Sequence, residues 1–184
     1  RPYRTVPEAA WPSRSEPVFS GPLFSVERLH WSAGEVAVQR DVVRHPGAVC
    51  IVPRLGADRL VFIRNHRRAV AERLLEFPAG TAEPDEPALD TARRELVEEA
   101  GYASDHLTPL GMFFTSPGFC DEVMQVFVAE ELRPTDRALE PHEDITVETL
   151  TTTEVLDALR SGALRDGKTM AAFLMYLQWC GGLP

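Results

Sequence analysis

The pattern of apolar and polar residues predicts a β-sheet along most of the chain. Alternation around Phe19, Phe24 and Val26, and again over Glu35–Gln39, predicts an N-terminal hairpin with its turn at Ala33-Gly34. A continuous apolar run is typical of a central strand covered on both faces, and such runs flank the turn residues Gly56-Ala57-Asp58. These two runs are 48–52 and 60–64. The further strands predicted are 110–114, 123–128 and 145–150.

Three helices are predicted between and after these strands. The first begins at Pro87, with Asp85 or Glu86 as its cap, and ends at Gly101. The second follows the capping stretch 151–154, and the third covers about 168–180. The apolar stripe of the first helix consists of Leu89, Ala92, Leu96 and Ala100. Strands combined with these helices predict a compact α/β fold of the α+β type.

Three carboxylates share the face of the first helix opposite its apolar stripe. At about 100° per residue, Glu95 and Glu99 lie within roughly 40° of each other, with Glu98 at their flank. Like charges at this spacing repel one another, and a divalent cation such as Mg²⁺ or Mn²⁺ would reverse the sign of that interaction. Arg94 lies one turn before Glu98 and can hold its carboxylate. A solvated acidic helix face is the alternative.

Composition limits the partners that the chain can have. The formal net charge of −9 over 184 residues disfavours a nucleic-acid binder, because phosphate backbones require a surplus of Lys and Arg. Cys50, Cys120 and Cys180 are widely spaced, which indicates neither a disulfide framework nor a Cys-based zinc site. The late apolar run 170–177 is too short to span a membrane. These features predict a soluble protein of the reducing cytoplasm without a membrane or nucleic-acid partner.

The segment from Gly80 to Tyr102 resembles the Nudix box, G-x5-E-x7-R-E-U-x-E-E-x-G-U, in which U is a bulky aliphatic residue. Tyr102 is the one departure, and we expect it to keep a packing role. The resemblance implies the Nudix fold, a mixed β-sheet flanked by helices, and hydrolysis of a nucleoside diphosphate linked to another group. It also implies that Gly80, Glu86 and Gly101 have structural roles.

The segments that flank the box are similar to those of the ADP-ribose pyrophosphatase branch of this family. They are His45–Val49 (HPGAV), Arg64–Arg67 (RNHR), Glu76–Gly80 (EFPAG) and Ser116–Glu122 (SPGFCDE). Asn65 and His66 replace the Gln and Tyr that are usual in this branch. The resemblance implies hydrolysis of ADP-ribose to AMP and ribose 5-phosphate with Mg²⁺ or Mn²⁺, and Zn²⁺ is a third option. The alternative substrates are other nucleoside diphosphate sugars and dinucleotides.

Two other classes of function are open to a Nudix chain. A nucleotide-sensing module would keep the fold without turnover, but such sensors usually lose box carboxylates, and this chain keeps every one. RNA processing, such as cap removal, would require a basic surface that the charge balance does not indicate.

The resemblance also implies roles for individual residues. The expected metal ligands are the carbonyl oxygen of Ala79 and the side chains of Glu95, Glu98 and Glu99. The expected catalytic residues are Arg94, Glu98 and a water-activating carboxylate from a late loop, either Glu140 or Glu143. The expected substrate-binding residues are Arg67, Glu76, Pro117 and Glu122. For Glu76 and Glu122 the alternative is a surface carboxylate at a strand edge, and for Ser116-Pro117-Gly118 it is an ordinary turn.

The N-terminal residues are expected to form a separate region with its own role. Residues 1–44 would be an arm and hairpin, and 45–184 would be the Nudix hydrolase domain. The resemblance implies a homodimer that exchanges N-terminal segments, in which Trp11 and Phe19 reach the adenine pocket of the neighbouring subunit.

Overall fold

A computed structural model of the chain describes residues 12–139 and 144–182. These residues form two compact units. The first contains the described residues up to Pro46 together with Phe114–Glu122, and the second contains Gly47–Phe113 and the described residues from Val123 onward. The boundary predicted between residues 44 and 45 stays a prediction.

The first unit contains a three-stranded antiparallel sheet made of β1 (Arg14–Ser20), β2 (Ser25–Ala33) and β3 (Val36–Arg44). The predicted hairpin turn is present between β2 and β3, where Gly34 has a φ of 65° that suits glycine. The prediction of one strand through Phe19 and Val26 is wrong. Gly21 and Pro22 interrupt it, the amide of Gly21 donates to the carbonyl of Phe24, and Phe19 pairs with Val26 across the turn.

The second unit is built on a mixed sheet of seven strands. Its strands are β4 (Ala48–Leu55), β5 (Arg59–Arg67), β6 (Glu72–Glu76), β7 (Ala79–Thr81), β9 (His106–Phe114), β10 (Val123–Glu130) and β12 (Ile145–Thr151). The order is β12-β5-β4-β10-β9, with β6 beside β5 and β7 beside β4. The pairing of β4 with β10 is parallel, which makes the sheet mixed as predicted. Two short strands, β8 (Tyr102–Ala103) and β11 (Arg133–Pro134), form a separate pair.

Helices cover both faces of this sheet. Along β4 the side chains alternate, so that Cys50 joins a core with Phe173 of the last helix, while Ile51 joins a core with Ala92 and Leu96 of the first helix. The continuous apolar run at 48–52 therefore reflects burial on both faces. The predicted apolar stripe packs on the sheet and fixes which face of the first helix turns toward β7.

The three predicted helices are α1 (Ala88–Glu95), α2 (Thr152–Ser161) and α3 (Gly167–Trp179). The capping box of α2 is formed by Thr151 and Glu154, as predicted. The prediction of one continuous α-helix to Gly101 is wrong in its second half, because a π-helical turn covers Leu96–Ala100. Gly101 does end the helix, with a left-handed φ of 72°. No helix in the described ranges is long and apolar enough to cross a bilayer.

Candidate active site

The glycine of β7 lies directly beneath a carboxylate of α1. A Cβ atom added at Gly80 would overlap the carboxylate of Glu95, so only glycine leaves room for this side chain. One residue before, the amide of Ala79 donates to Oε2 of Glu99 at 2.8 Å. β7 is in turn paired with β4, where Gly80 is opposite Val49. The sheet therefore sets the position of the Gly80 segment, and that segment seats two of the box glutamates.

Burial separates the three glutamates of this helix. Glu95 and Glu99 are 8% and 3% exposed, whereas Glu98 is half-buried. The alternative of a solvated acidic face is therefore wrong for Glu95 and Glu99, since a solvated face would leave both exposed. Buried carboxylates are retained where they are paired, hydrogen-bonded or bound to metal.

Arg94 connects the carboxylates of the box. Its guanidinium bonds both oxygens of Glu86, at 3.1 and 2.9 Å, and its Nη1 donates to Glu95 at 2.6 Å and to Glu98 at 3.0 Å. It also donates to the carbonyl of Thr81 at 3.2 Å. These carboxylates raise the pKa of Arg94, chiefly through the hydrogen bonds that Arg94 donates to Glu86. The helix spacing predicts only the contact with Glu98.

Glu86 is the carboxylate that joins the loop before α1 to the helix itself. Besides Arg94, it accepts bonds from the amide of Glu83 at 3.1 Å and from the hydroxyl of Thr91 at 2.9 Å. The hydrogen bonds from Arg94, followed by those from Glu83 and Thr91, lower the pKa of Glu86 from 4.5 to about 2. Its geometry suits the structural role expected for this residue. The prediction that Asp85 or Glu86 caps a helix starting at Pro87 is wrong, because α1 begins at Ala88 with Pro87 as its N-cap and has no side-chain cap.

The lowered pKa of Glu86 predicts an acid-dependent loss of stability. A carboxyl group whose pKa is depressed by folding contributes stability above its unfolded pKa of about 4.5, and this contribution is lost as the pH falls toward 2. We expect the free energy of unfolding of Glu86→Gln to fall less steeply than that of the wild type over this window. Urea unfolding at several pH values measures both slopes, and parallel slopes would contradict the prediction.

A second charged cluster lies at the ends of β5 and β6. Glu76 is fully buried, and Arg67 donates to its two oxygens at 2.8 and 2.6 Å. Lys168, in the first turn of α3, also donates to Glu76, and it donates to Asp166 at 2.9 Å. The bond to Glu76 raises the pKa of Arg67. The surface-carboxylate alternative for Glu76 is wrong, because the side chain is fully buried.

Sequence reasoning missed Lys168 and Asp166 as members of this cluster. Asp166 is the N-cap of α3 and accepts from the amide of Thr169 at 2.9 Å. The signal was present, since an Asp three residues before Thr169 is a typical helix start, but spacing does not connect it with Glu76, which is 92 residues away from Lys168. Only the packing of α3 on the sheet brings the two side chains together.

The segment Ser116–Glu122 belongs to the first unit. The carbonyl of Ser116 accepts from the amides of Phe119 and Cys120, which makes the backbone a turn. Pro117 lines a shallow pocket of about 270 Å³. The carboxylate of Glu122 accepts from the hydroxyl of Thr115 at 2.6 Å and lies 3.7 Å from Nδ1 of His45. The substrate roles of Pro117 and Glu122 stay predictions.

Three residues with expected roles lie outside the described residues. They are Trp11 and the two candidate water-activating carboxylates, Glu140 and Glu143. The described residue that follows this loop is Asp144, whose carbonyl accepts from the amide of His66 and whose side chain pairs with Arg73. The choice between Glu140 and Glu143 stays open.

The carboxylates of the box offer oxygen atoms to a metal ion. Within residues 12–139 and 144–182, no three His, Cys, Asp or Glu side chains already lie in the arrangement of a metal centre. Arg94 instead engages Glu95 and Glu98, and Ala79 engages Glu99. The donor chemistry nevertheless fits Mg²⁺ or Mn²⁺, because it consists of oxygens and because three carboxylates contact the single guanidinium of Arg94. A cation would offset this excess of negative charge.

Comparison with known proteins identifies the family. The family profile described as NUDIX domain matches residues 43–173. The chain therefore belongs to the NUDIX family, and it is a Nudix hydrolase with the mixed α/β fold that the sequence predicts.

The relatives confirm the predicted resemblance to ADP-ribose pyrophosphatases. The chain is 37% identical over 167 residues to the ADP-ribose pyrophosphatase of Bacillus subtilis (strain 168), with 89% of each protein covered. It is 34% identical over 169 residues to the methanol dehydrogenase activator of Bacillus methanolicus, with 90% of each covered. The crystal structure of an ADP compounds hydrolase matches with a TM-score of 0.77 and 26% identity, covering 94% of this chain and 96% of that one.

Proposed function

We propose that this chain hydrolyses the pyrophosphate bond of ADP-ribose to AMP and ribose 5-phosphate with the help of a divalent cation. The observation that carries this proposal is the seating of Glu95 over Gly80, beside the bond between Ala79 and Glu99. This arrangement places two negatively charged carboxylates, those of Glu95 and Glu99, against the backbone of Ala79 and Gly80. The similarity to a protein named ADP-ribose pyrophosphatase, which extends over 89% of the chain, supports ADP-ribose as the substrate.

The cation would be held by the box. Its ligands would be the carbonyl of Ala79 and the carboxylates of Glu95, Glu98 and Glu99. Mg²⁺ or Mn²⁺ suits this set of oxygens better than Zn²⁺, which more often takes nitrogen and sulfur ligands. When bound, the cation supplies charge neutralisation of the pyrophosphate and polarises the phosphorus under attack.

The protein's own residues would orient the reactants. Arg94 fixes the carboxylates of Glu95 and Glu98 through its 2.6 and 3.0 Å bonds. Arg67, whose side chain is partly exposed, would donate to a phosphate oxygen. Water attacks a phosphorus, the bond from that phosphorus to the bridging oxygen breaks, and Glu140 or Glu143 takes the proton of the water. We also propose that Pro117 and Glu122 bind the substrate, and that Glu76 acts by holding Arg67 through its two hydrogen bonds.

We also propose that the protein is a homodimer formed through its N-terminal segments. The first unit exposes several large apolar side chains, namely Val18, Phe19, Leu23 and Phe24. Apolar side chains grouped in this way are typical of an interaction surface.

Cys50, Cys120 and Cys180 are free thiols, which supports a reducing compartment such as the cytoplasm.

One assay tests the activity and the substrate together. The protein is incubated with ADP-ribose, with two sugar nucleotides and with a diadenosine polyphosphate, each with and without Mg²⁺, and the products are separated by chromatography. We expect AMP and ribose 5-phosphate from ADP-ribose only when Mg²⁺ is present. If a sugar nucleotide or the dinucleotide is hydrolysed faster than ADP-ribose, that compound is the preferred substrate and the assignment of ADP-ribose is wrong. Binding of ADP-ribose without turnover would instead identify a sensing module and overturn the proposed function.

A further inference from the structure

We propose that Lys168 is a positioning residue that acts through Glu76 to keep the positive charge of Arg67 available to the phosphate of the substrate. The inference rests on the proposed function, in which Arg67 meets a phosphate oxygen. Lys168 lies outside the box, and sequence reasoning gave it no role.

Lys168 belongs to a connected set of buried contacts. Its side chain is 13% exposed, and it donates to Glu76, which is fully buried, and to Asp166. Asp166 accepts from the hydroxyl of Thr169 at 2.6 Å, and that hydroxyl accepts from the amide of Phe77 at 2.9 Å. The start of α3 is therefore fastened to the segment that leads into Ala79 and Gly80.

The charges of this cluster explain why a second cation is needed. The cluster contains two carboxylates, Glu76 and Asp166, and Arg67 alone would balance only one of them. With Lys168 present, Arg67 and Lys168 share the carboxylate of Glu76, and the set that includes Asp166 is neutral. Loss of Lys168 would leave one uncompensated negative charge beside Arg67, which would repel a phosphate.

The guanidinium of Arg67 has the geometry for such a contact. It uses Nε and Nη2 for Glu76, and its side chain is 41% exposed. A guanidinium has five N–H donors, so those on Nη1 can still reach an anion. Lys168 would thus affect how tightly the substrate binds, rather than the chemical step.

The chain offers a matched control on the same two elements. Arg165 precedes α3 by two residues and pairs with Glu72 at the other end of β6, but both side chains are largely exposed. Exposed pairs of this kind contribute little. Arg165→Met therefore removes a cation from the same junction without changing the buried cluster.

The test compares wild type, Lys168→Met, Lys168→Arg and Arg165→Met by steady-state kinetics with ADP-ribose and Mg²⁺. We expect Lys168→Met to raise KM by about tenfold, the size of effect typical of one charge-assisted contact, while kcat changes by less than about threefold. Lys168→Arg should restore most of the KM, and Arg165→Met should match the wild type. A wild-type KM in Lys168→Met, with or without a lower melting temperature, would overturn the proposal.

A double variant keeps the test decisive if Lys168→Met alone folds poorly. Replacing Glu76 by glutamine in the same chain removes the uncompensated charge. We expect Glu76→Gln/Lys168→Met to have the KM of Glu76→Gln, because Lys168 acts through Glu76. A further tenfold rise in the double variant would overturn the proposal. Failure of the proposed function is seen separately, as a wild type that does not hydrolyse ADP-ribose.

Discussion

Replacement of Glu99 by glutamine is expected to lower kcat/KM for ADP-ribose by about a hundredfold or more without unfolding the protein. Glutamine has the same length, and its amide oxygen can still accept the 2.8 Å bond from the amide of Ala79. A neutral amide, however, is a weaker ligand than a carboxylate for Mg²⁺, which prefers charged oxygen ligands. Activity should therefore fall far more than the melting temperature. Steady-state kinetics and thermal unfolding of the same preparation measure the two effects.

Asp90→Asn is the matched control for this prediction. Asp90 lies on the same helix, is exposed and pairs only with Arg93 at 3.0 Å in the described part of the chain. The Asp90→Asn substitution also removes one negative charge, but from a position in α1 that is away from Gly80. We therefore expect wild-type turnover. Equal activity of Glu99→Gln and Asp90→Asn would show that the charge of Glu99 has no part in the reaction.

Arg94→Met is expected to have the largest effect on stability. The substitution removes the partner of Glu86, Glu95 and Glu98 at once and leaves a cluster of negative charges with no guanidinium between them. Breaking a buried ion pair from one side costs about 3–5 kcal/mol, and we expect about 3 kcal/mol here because the side chain of Arg94 is 27% exposed. Denaturant unfolding measures this change, and turnover should be lost as well.

The neighbouring arginine provides the comparison for Arg94. Arg93 forms one exposed pair with Asp90, so Arg93→Met should change the free energy of unfolding by no more than about 0.5 kcal/mol. If high Mg²⁺ offsets the repulsion among the carboxylates, Arg94→Met should also regain stability as Mg²⁺ is added. Equal stabilities of the two variants would contradict the central position that we assign to Arg94.

The local parts of the fold could be predicted from the sequence because their signals are local. Gly101 ends the helical segment that follows α1, Thr151 and Glu154 cap α2, and Gly34 lies in the turn between β2 and β3. Each of these residues affects the backbone only within a few positions along the sequence. The apolar stripe of α1 predicts which face is buried, since helix periodicity determines it. The box spacing likewise identified the family, because it combines residue types at fixed positions.

The long-range parts of the site could not be predicted, for equally physical reasons. The contact of Lys168 with Glu76 joins residues 92 positions apart and depends on how α3 packs. The burial of Glu95 depends on the approach of β7, whose three residues are too few to show a strand pattern. The π-helical turn at Leu96–Ala100 could not be predicted either, because the sequence analysis assumes the α-helical spacing of about 100° per residue throughout.

The most direct test is a crystal structure of the protein with Mn²⁺ and an ADP-ribose analogue whose bridging oxygen is replaced by a methylene group. We expect anomalous peaks at about 2.0–2.2 Å from carboxylate oxygens of Glu95 and Glu99, with the diphosphonate bound to the same ions. An analogue bound elsewhere, with no Mn²⁺ near these two glutamates, would contradict this expectation.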